Sequence, residues 1–323
     1  MTKDSVLETL WRSEDRFISG EELARSLSVS RAAVWKAIEQ LRGEGYVIES
    51  ASNRGYRLSP SSDVLSVKGV EKYLTQKSLR VQVFRTITST NTVLKGMAAE
   101  GAPEGLALIA GAQTEGRGRL GRSFYSPADS GVYLSLLLRP ECGAEEATKL
   151  TACAAVAVAE AIEELSCLSA GIKWVNDVLV AGKKVSGILT EASVDCESGM
   201  MNYVIIGIGI NTRVPAGDFP AELREIAGAV FGEAPVPELR CRLAAAVLDK
   251  LWGYYEHFDD CSYYSKYRER SLVLGKDISI LARGRDPEPA FALDIAPDFS
   301  LLVRTEDGAV RRLNSGEVSI RVK

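Results

Sequence analysis

A 323-residue chain with 46 % hydrophobic and 25 % charged residues has material for two or three packed domains and the charge density of an ordinary globular protein. Its formal net charge of −4 excludes a generally basic nucleic-acid coat, so any DNA contact has to come from a local patch. The longest apolar runs, such as Val204 to Ile210, fall far short of the ~20 residues a membrane helix needs. The start, Met1-Thr2-Lys3-Asp4-Ser5, has no apolar signal core, and a cytoplasmic address is expected.

The first sixty residues read as a DNA-binding unit. Val6, Leu7 and Leu10 mark one amphipathic face, and Leu23, Ala24 and Leu27 mark a second after a helix start at Ser19-Gly20. Ser28-Val29-Ser30 then makes a turn with Ser30 as N-cap, and Val34, Ile38 and Leu41 bury one face of a third helix. Its other face offers Ser30, Arg31, Ala33, Lys36 and Gln40, which is the helix-turn-helix arrangement with a recognition helix. Tyr46 to Ser50 and Tyr56 to Leu58 read as strands flanking Ser52-Asn53-Arg54-Gly55, a wing with a basic tip at Arg54. Residues 1–60 balance nine basic against nine acidic groups, but from Arg31 to Arg57 five basic residues face three acids. A patch of that size predicts weak binding as a single copy and specific binding as a dimer on two half-sites.

Ser59-Pro60-Ser61-Ser62-Asp63 reads as a short polar linker. A central domain over residues 64–270 mixes predicted strands (Val81–Arg85, Leu106–Ala112, Val132–Leu138, Tyr203–Ile210) with predicted helices (Asn91–Glu100, Glu145–Leu165, Glu238–Tyr255). Residues 271–323 carry short strand-like runs (Asp277–Ala282, Ala290–Ile295, Leu301–Arg304, Val310–Leu313, Val318–Val322) separated by turns such as Arg283-Gly284-Arg285-Asp286-Pro287, which predicts a small β-barrel. The predicted class is α+β multidomain. Cys142, Cys153, Cys167, Cys196, Cys241 and Cys261 lack C-x-x-C or histidine-paired spacing, so buried reduced thiols are expected rather than zinc. The single histidine, His257, falls in an aromatic helix and reads as structural, which leaves chemistry without imidazole.

Four elements of the central domain carry chemistry. The string Gly116-Arg117-Gly118-Arg119-Leu120-Gly121-Arg122 follows an apolar strand and suits a polyanion clamp, since glycines admit close approach and arginine forks match phosphate oxygens. It matches G-x-G-x-x-G, but no helix opens behind it, no G-K-[ST] follows, and neither H-R-D nor D-F-G is present. Ser89-Thr90-Asn91 opens a helix, as a plain N-cap or as a cradle for a polar head group, and Gln113 precedes the arginine string. Lys173-Trp174-Val175-Asn176-Asp177 places an Asn-Asp pair at the end of an apolar strand, as an Asx turn or a polar site. Lys184-Val185-Ser186-Gly187-Ile188-Leu189 sends a lysine and a glycine into a strand, and Gly207-Ile208-Gly209-Ile210-Asn211 adds a low wall.

In this order the GRGRxGR, KWxND, K-x-x-GIL and GxGIN strings resemble the biotin protein ligases, and the whole chain resembles the bifunctional, winged-helix type that also represses biotin-synthesis genes. The resemblance implies a biotin/lipoate-ligase-type central fold and an SH3-like terminal barrel. It also implies biotin and ATP as substrates, Mg²⁺ as metal, a biotin carboxyl carrier domain and operator DNA as partners, no membrane partner, and a homodimer when biotinyl-5′-AMP is bound. Biotin would be held by Ser89, Thr90, Asn91, Gln113, Gly116, Arg117, Gly118, Lys184, Gly187, Gly207 and Gly209. ATP would be held by Arg117, Arg119, Arg122, Phe124, Asn176 and Asn211. Lys184, Arg119 and Asp177 would be catalytic, with Lys184 selected over Lys183. Phe124 stands where relatives commonly have tryptophan, and Val175 where they have proline. Asp177 is open to two roles, assisting the acceptor amine or holding magnesium, and on the first reading Asp177→Asn slows transfer more than adenylate formation. A lipoate–protein ligase and a ligand-sensing repressor without catalysis share parts of this pattern.

Overall fold

The computed structural model describes residues 2–13, 16–282, 286–314 and 318–322. Three short helices come first: α1 (Thr2–Arg12), α2 (Gly20–Ser26) and α3 (Arg31–Gly43). Ser19 and Ser30 cap α2 and α3 as expected, each hydroxyl accepting from a backbone N–H three residues on at 3.1 Å. Val6, Leu7, Leu10, Leu23, Val34, Ile38 and Leu41 form their common core. A hairpin of β1 (Ile48–Ala51) and β2 (Gly55–Leu58) follows as the wing.

The segment after the wing is not a free tether. Ser62 is buried, and the Asp63 carboxylate takes the backbone N–H of Arg240 at 2.9 Å and its Nε at 3.1 Å. Helix α4 (Val67–Tyr73), absent from the sequence reading, then packs on a later helix; a Cβ at Gly69 would meet Cys241 Sγ at 2.6 Å, so a glycine is required there.

The central region continues with β3 (Arg80–Phe84), α5 (Thr90–Ala99), β4 (Leu106–Ala110), β5 (Gly131–Leu138), α6 (Ala147–Ser166), β6 (Ala170–Lys173), β7 (Asp177–Val180), β8 (Lys183–Val194), β9 (Met201–Asn211), α7 (Leu239–Glu256) and α8 (Tyr263–Glu269). The strands form one sheet in the order β3-β4-β5-β9-β8-β7-β6, parallel only between β3 and β4. Alanine- and valine-rich α6 and α7 cover one face, against Val132, Leu134, Leu136, Ile206, Ile208 and Ile210. Helix α5 covers part of the other, against Leu108, Leu137 and Ile205. Because side chains alternate along a strand, the isoleucines of Gly207-Ile208-Gly209-Ile210 point into the helical layer and the glycines point the other way. That leaves a floor beside α5.

The last strands are β10 (Asp277–Ala282), β11 (Glu288–Ile295), β12 (Leu301–Thr305), β13 (Val310–Leu313) and β14 (Val318–Val322), in the order β13-β12-β11-β10-β14. The expected C-terminal sheet is present with five strands, and among the described residues its end strands β13 and β14 do not pair, so closure into an SH3-like barrel is not shown. Periodicity fixes the number and length of strands, whereas closure depends on edge pairing that it does not encode. Residues 283–285 of the expected turn lie outside the described residues. The sheet shares its core with the central region: Trp174 Nε1 donates to Phe299 O at 2.9 Å, and Phe299 stacks on Tyr263.

Two further expectations are corrected. His257 does not lie within α7 but just past its end, with an exposed ring, because the backbone leaves helical geometry there (φ −120°). Only Cys153 and Cys241 are buried; Cys142 and Cys261 are half-buried, and Cys167 and Cys196 are exposed, all as free thiols. Cys167 follows the last residue of α6 in a left-handed turn, where the chain leaves the core.

Candidate active site

Sheet register assembles the site from strands distant in sequence. Tyr133 pairs with Gly209, Gly209 with Gly187, and Gly187 with Asp177, giving one row across four strands. Ser135, Gly207 and Leu189 form the next row. A cleft opens above these rows, beside the N-terminus of α5.

One end of the cleft is a polar cradle. Ser89 caps α5, and the Thr90 N–H and hydroxyl both donate to Gln113 Oε1, at 2.9 and 3.1 Å. The Gln113 amide nitrogen donates to Ser126 Oγ at 3.0 Å, which fixes which end of the amide is the donor. Ser135, fully buried in β5, lies 2.7 Å from Thr90 Oγ1 and 2.6 Å from Asn91 Oδ1. Ser135 belongs to none of the motifs; its signal in the sequence is a small polar residue within the apolar strand Gly131–Leu138.

The arginine string is a tight hairpin folded over the cleft. Gly118 N–H donates to Arg122 O and Phe124 N–H to Gly116 O, with Leu120 and Gly121 in left-handed geometry at the tip. A Cβ at Gly116 would stand 2.3 Å from Phe124 O, so the legs close only around glycine. Arg117, Gly118 and Arg119 line the cleft. Arg119 Nη1 donates to Asn176 Oδ1 at 2.9 Å. Burial pushes the Arg119 guanidinium below its ordinary pKa, and the Asp177 carboxylate opposes that shift. Arg117 pairs with Glu191, a β8 carboxylate missing from the sequence reading.

Lys184 Nζ lies 2.6 Å from Asp177 Oδ1. A bulge opposite Val178 and Leu179 turns Lys184 toward the cleft, whereas Lys183 is held on another surface by the carbonyls of Arg224 and Glu225. The selection of Lys184 over Lys183 therefore has a geometric cause. Asn176 and Asp177 do not end one strand: Asn176 lies in the turn between β6 and β7, and Asp177 opens β7. Asn176 Nδ2 donates to Ile188 O at 3.0 Å, which aims its oxygen at Arg119.

Gly187, Gly207 and Gly209 line the cleft, but part of the space they create is filled by protein. A Cβ at Gly207 would meet Asn91 Oδ1 at 2.0 Å, and one at Gly209 would meet the Phe124 ring at 2.4 Å. Two expected nucleotide residues are not brought to the cleft. Arg122 is exposed on the outer leg of the hairpin, and buried Asn211 spends its amide on Gly228 O at 3.0 Å.

Residues 83–211 match the biotin/lipoate A/B protein ligase family, and residues 2–57 match an HTH domain. The chain is 40 % identical over 336 aligned residues to the bifunctional ligase/repressor BirA of Bacillus subtilis strain 168, covering 98 % of each. This chain belongs to the biotin protein ligase family. The BirA of Escherichia coli strain K12 is 30 % identical over 94 % of this chain and 93 % of its own. A biotin protein ligase from Aquifex aeolicus, solved in complex with biotin and ATP, superimposes with a TM-score of 0.63 at 29 % identity, over 76 % of this chain and 99 % of that one.

The N-terminal HTH unit of this biotin protein ligase family member presents a second surface. Arg31, Lys36 and Gln40 are exposed on α3, whereas Ala33 is half-buried and the Ser30 hydroxyl is occupied as the cap. Arg54 and Arg57 both lie over the Phe17 ring, at 4.4 and 4.7 Å, which stiffens the basic wing. Trp35, not among the expected readers, is 58 % exposed on α3. Among the described residues no helix is long and apolar enough to cross a membrane.

Proposed function

We propose that this chain condenses biotin with ATP to biotinyl-5′-AMP, transfers the biotinyl group to a lysine of a biotin carboxyl carrier domain, and represses transcription at a biotin operator with the adenylate as corepressor. The observation that carries the reading is a single cleft lined by Lys184 and Arg119, which meet Asp177 and Asn176, by the Ser89–Thr90–Gln113 cradle, and by Arg117, which Glu191 ties to Asn91. The cradle has donors and acceptors for a ureido head group, and the cationic end suits a carboxylate meeting a phosphate.

The first step needs no general base, because a carboxylic acid with a reference pKa of ~4.3 is already ionised at neutral pH. A carboxylate oxygen attacks the α-phosphorus, the bond from that phosphorus to the bridging oxygen breaks, and pyrophosphate leaves. The barrier lies in bringing two anions together in line, and Lys184 and Arg119 supply fixed positive charge where it is required. The acceptor amine then attacks the acyl carbon and AMP leaves with the acyl–phosphate bonding pair; the amine gives up its proton.

Asp177 already faces the Lys184 ammonium, and among the described residues no cluster of three metal-ligating side chains occurs. Magnesium would arrive on the triphosphate, where it screens phosphate charge, and Asp177 would be the carboxylate at that end of the cleft to ligate it. Phe124 beside Gly187 and Gly209 offers an aromatic face for adenine.

Mass spectrometry of a carrier domain incubated with this protein, ATP and biotin tests the reading. A single biotinyl adduct that requires both small molecules is expected; adducts from lipoate alone, or none, overturn it.

A further inference from the structure

Glu191 sits below the cleft on β8, on the same strand face as Gly187 and Leu189, and its side chain is 18 % exposed. It is not one of the cleft-lining residues, yet it holds two that are. Its Oε2 accepts from Asn91 Nδ2 at 2.9 Å, and its carboxylate lies 3.1 Å from Arg117 Nη1. The first contact, with a further bond from Asn91 Nδ2 to Leu189 O, turns Asn91 Oδ1 toward Ser135. The second ties the arginine hairpin to the sheet.

We propose that Glu191 is a positioning residue with two separable effects: it fixes the Asn91 amide in the biotin cradle, and it acts as an internal counter-ion that an anionic ligand must displace from Arg117. This rests on the ligase reading above. The two effects have opposite signs for ligand affinity. The hydrogen bond to Asn91 organises the cradle before biotin enters, whereas the carboxylate at Arg117 competes with the ligand's own anion. Arg117 is about half exposed, so the competing ion pair is of the modest, solvent-screened kind.

The two effects separate by substitution. Glu191→Gln keeps an acceptor for Asn91 and removes the charge at Arg117; Glu191→Ala removes both. Biotin binding to the full chain, measured by calorimetry, is expected to tighten about two- to fivefold in Glu191→Gln and to weaken about tenfold in Glu191→Ala. The gain in Glu191→Gln vanishes in an Arg117→Gln background, and it is absent for the alcohol analogue of biotin, which has no carboxylate. Loss of affinity in both variants, or a gain equal for biotin and its alcohol, overturns the proposal. Wild-type protein that binds no biotin would instead remove the ligase reading itself.

Discussion

Lys184 Nζ and Asp177 Oδ1, on adjacent strands, stand 2.6 Å apart at the cationic end of the cleft. The carboxylate orients the ammonium before substrate arrives, so the pair acts as a unit. Lys184→Met is expected to slow adenylate formation by ~10²–10³-fold, the scale for losing one preorganised stabiliser of developing charge. Asp177→Asn leaves the ammonium in place but unoriented, and a loss of about tenfold in the same step is expected. Single-turnover release of pyrophosphate measures both. If Asp177 assists the acceptor amine, Asp177→Asn slows transfer to the carrier more than adenylate formation; the ion pair predicts comparable losses in both half-reactions.

Ser135 is fully buried between Thr90 and Asn91, and its loss leaves those side chains short of a partner. An unsatisfied buried polar group costs about 1–3 kcal/mol, which corresponds to roughly 5- to 150-fold in a binding constant. Ser135→Ala is expected to raise the biotin KM by that factor while kcat falls less than threefold, because the head group is remote from the reacting carboxylate.

Trp35 exposes 58 % of its surface on the face of α3 that also carries Arg31 and Lys36. A large aromatic left in water beside cations suits the grooves and sugar–phosphate edge of DNA. Trp35→Ala is expected to weaken operator binding at least tenfold in a gel-shift titration and to leave ligation kinetics unchanged.

The helix caps at Ser19, Ser30 and Ser89, and the strings that line the cleft, were legible because each is a local signal with a local cause. Ser135 and Glu191 were not, because their roles come from sheet order: β5, β9 and β8 are neighbours in space although α6, β6 and β7 intervene between β5 and β8 in the chain. Arg122 and Asn211 sit inside family strings yet do not line the cleft: Arg122 is exposed on the hairpin, and Asn211, although on the same strand face as Gly207 and Gly209, gives its amide to Gly228 O. Helix α4 was hidden by Gly69, whose weak helix propensity is overridden by contact with Cys241.

Thiol exposure separates the cysteines by reactivity. Burial pushes the Cys241 thiol up to about 12 and also raises Cys153, so neither presents thiolate at neutral pH. Cys167 and Cys196 are exposed. Alkylation of the native protein at pH 8, followed by peptide mapping, is expected to label Cys167 and Cys196 within minutes and to reach Cys153 and Cys241 only after unfolding.

Arg240 joins the winged helix to the ligase region. Its side chain, 8 % exposed, donates to the carboxylate and carbonyl of Asp63 and reaches Asp129 at 3.3 Å. Asp129 is exposed, so Asp129→Asn should cost under about 1 kcal/mol. Arg240→Ala strands a largely buried carboxylate and is expected to cost about 3–5 kcal/mol at neutral pH. Burial already holds the Asp63 pKa above its ordinary value, with Arg240 pulling against it. A carboxyl raised in this way favours the fold below its unfolded pKa of ~3.9, and that contribution is lost as pH rises through the folded value. Without Arg240 the folded pKa climbs further, so the gap in stability between wild type and Arg240→Ala should widen from pH 4 to pH 7. Urea unfolding of both proteins across that range checks the sign; a gap that narrows with pH would show that Asp63 is not the group left unpaired.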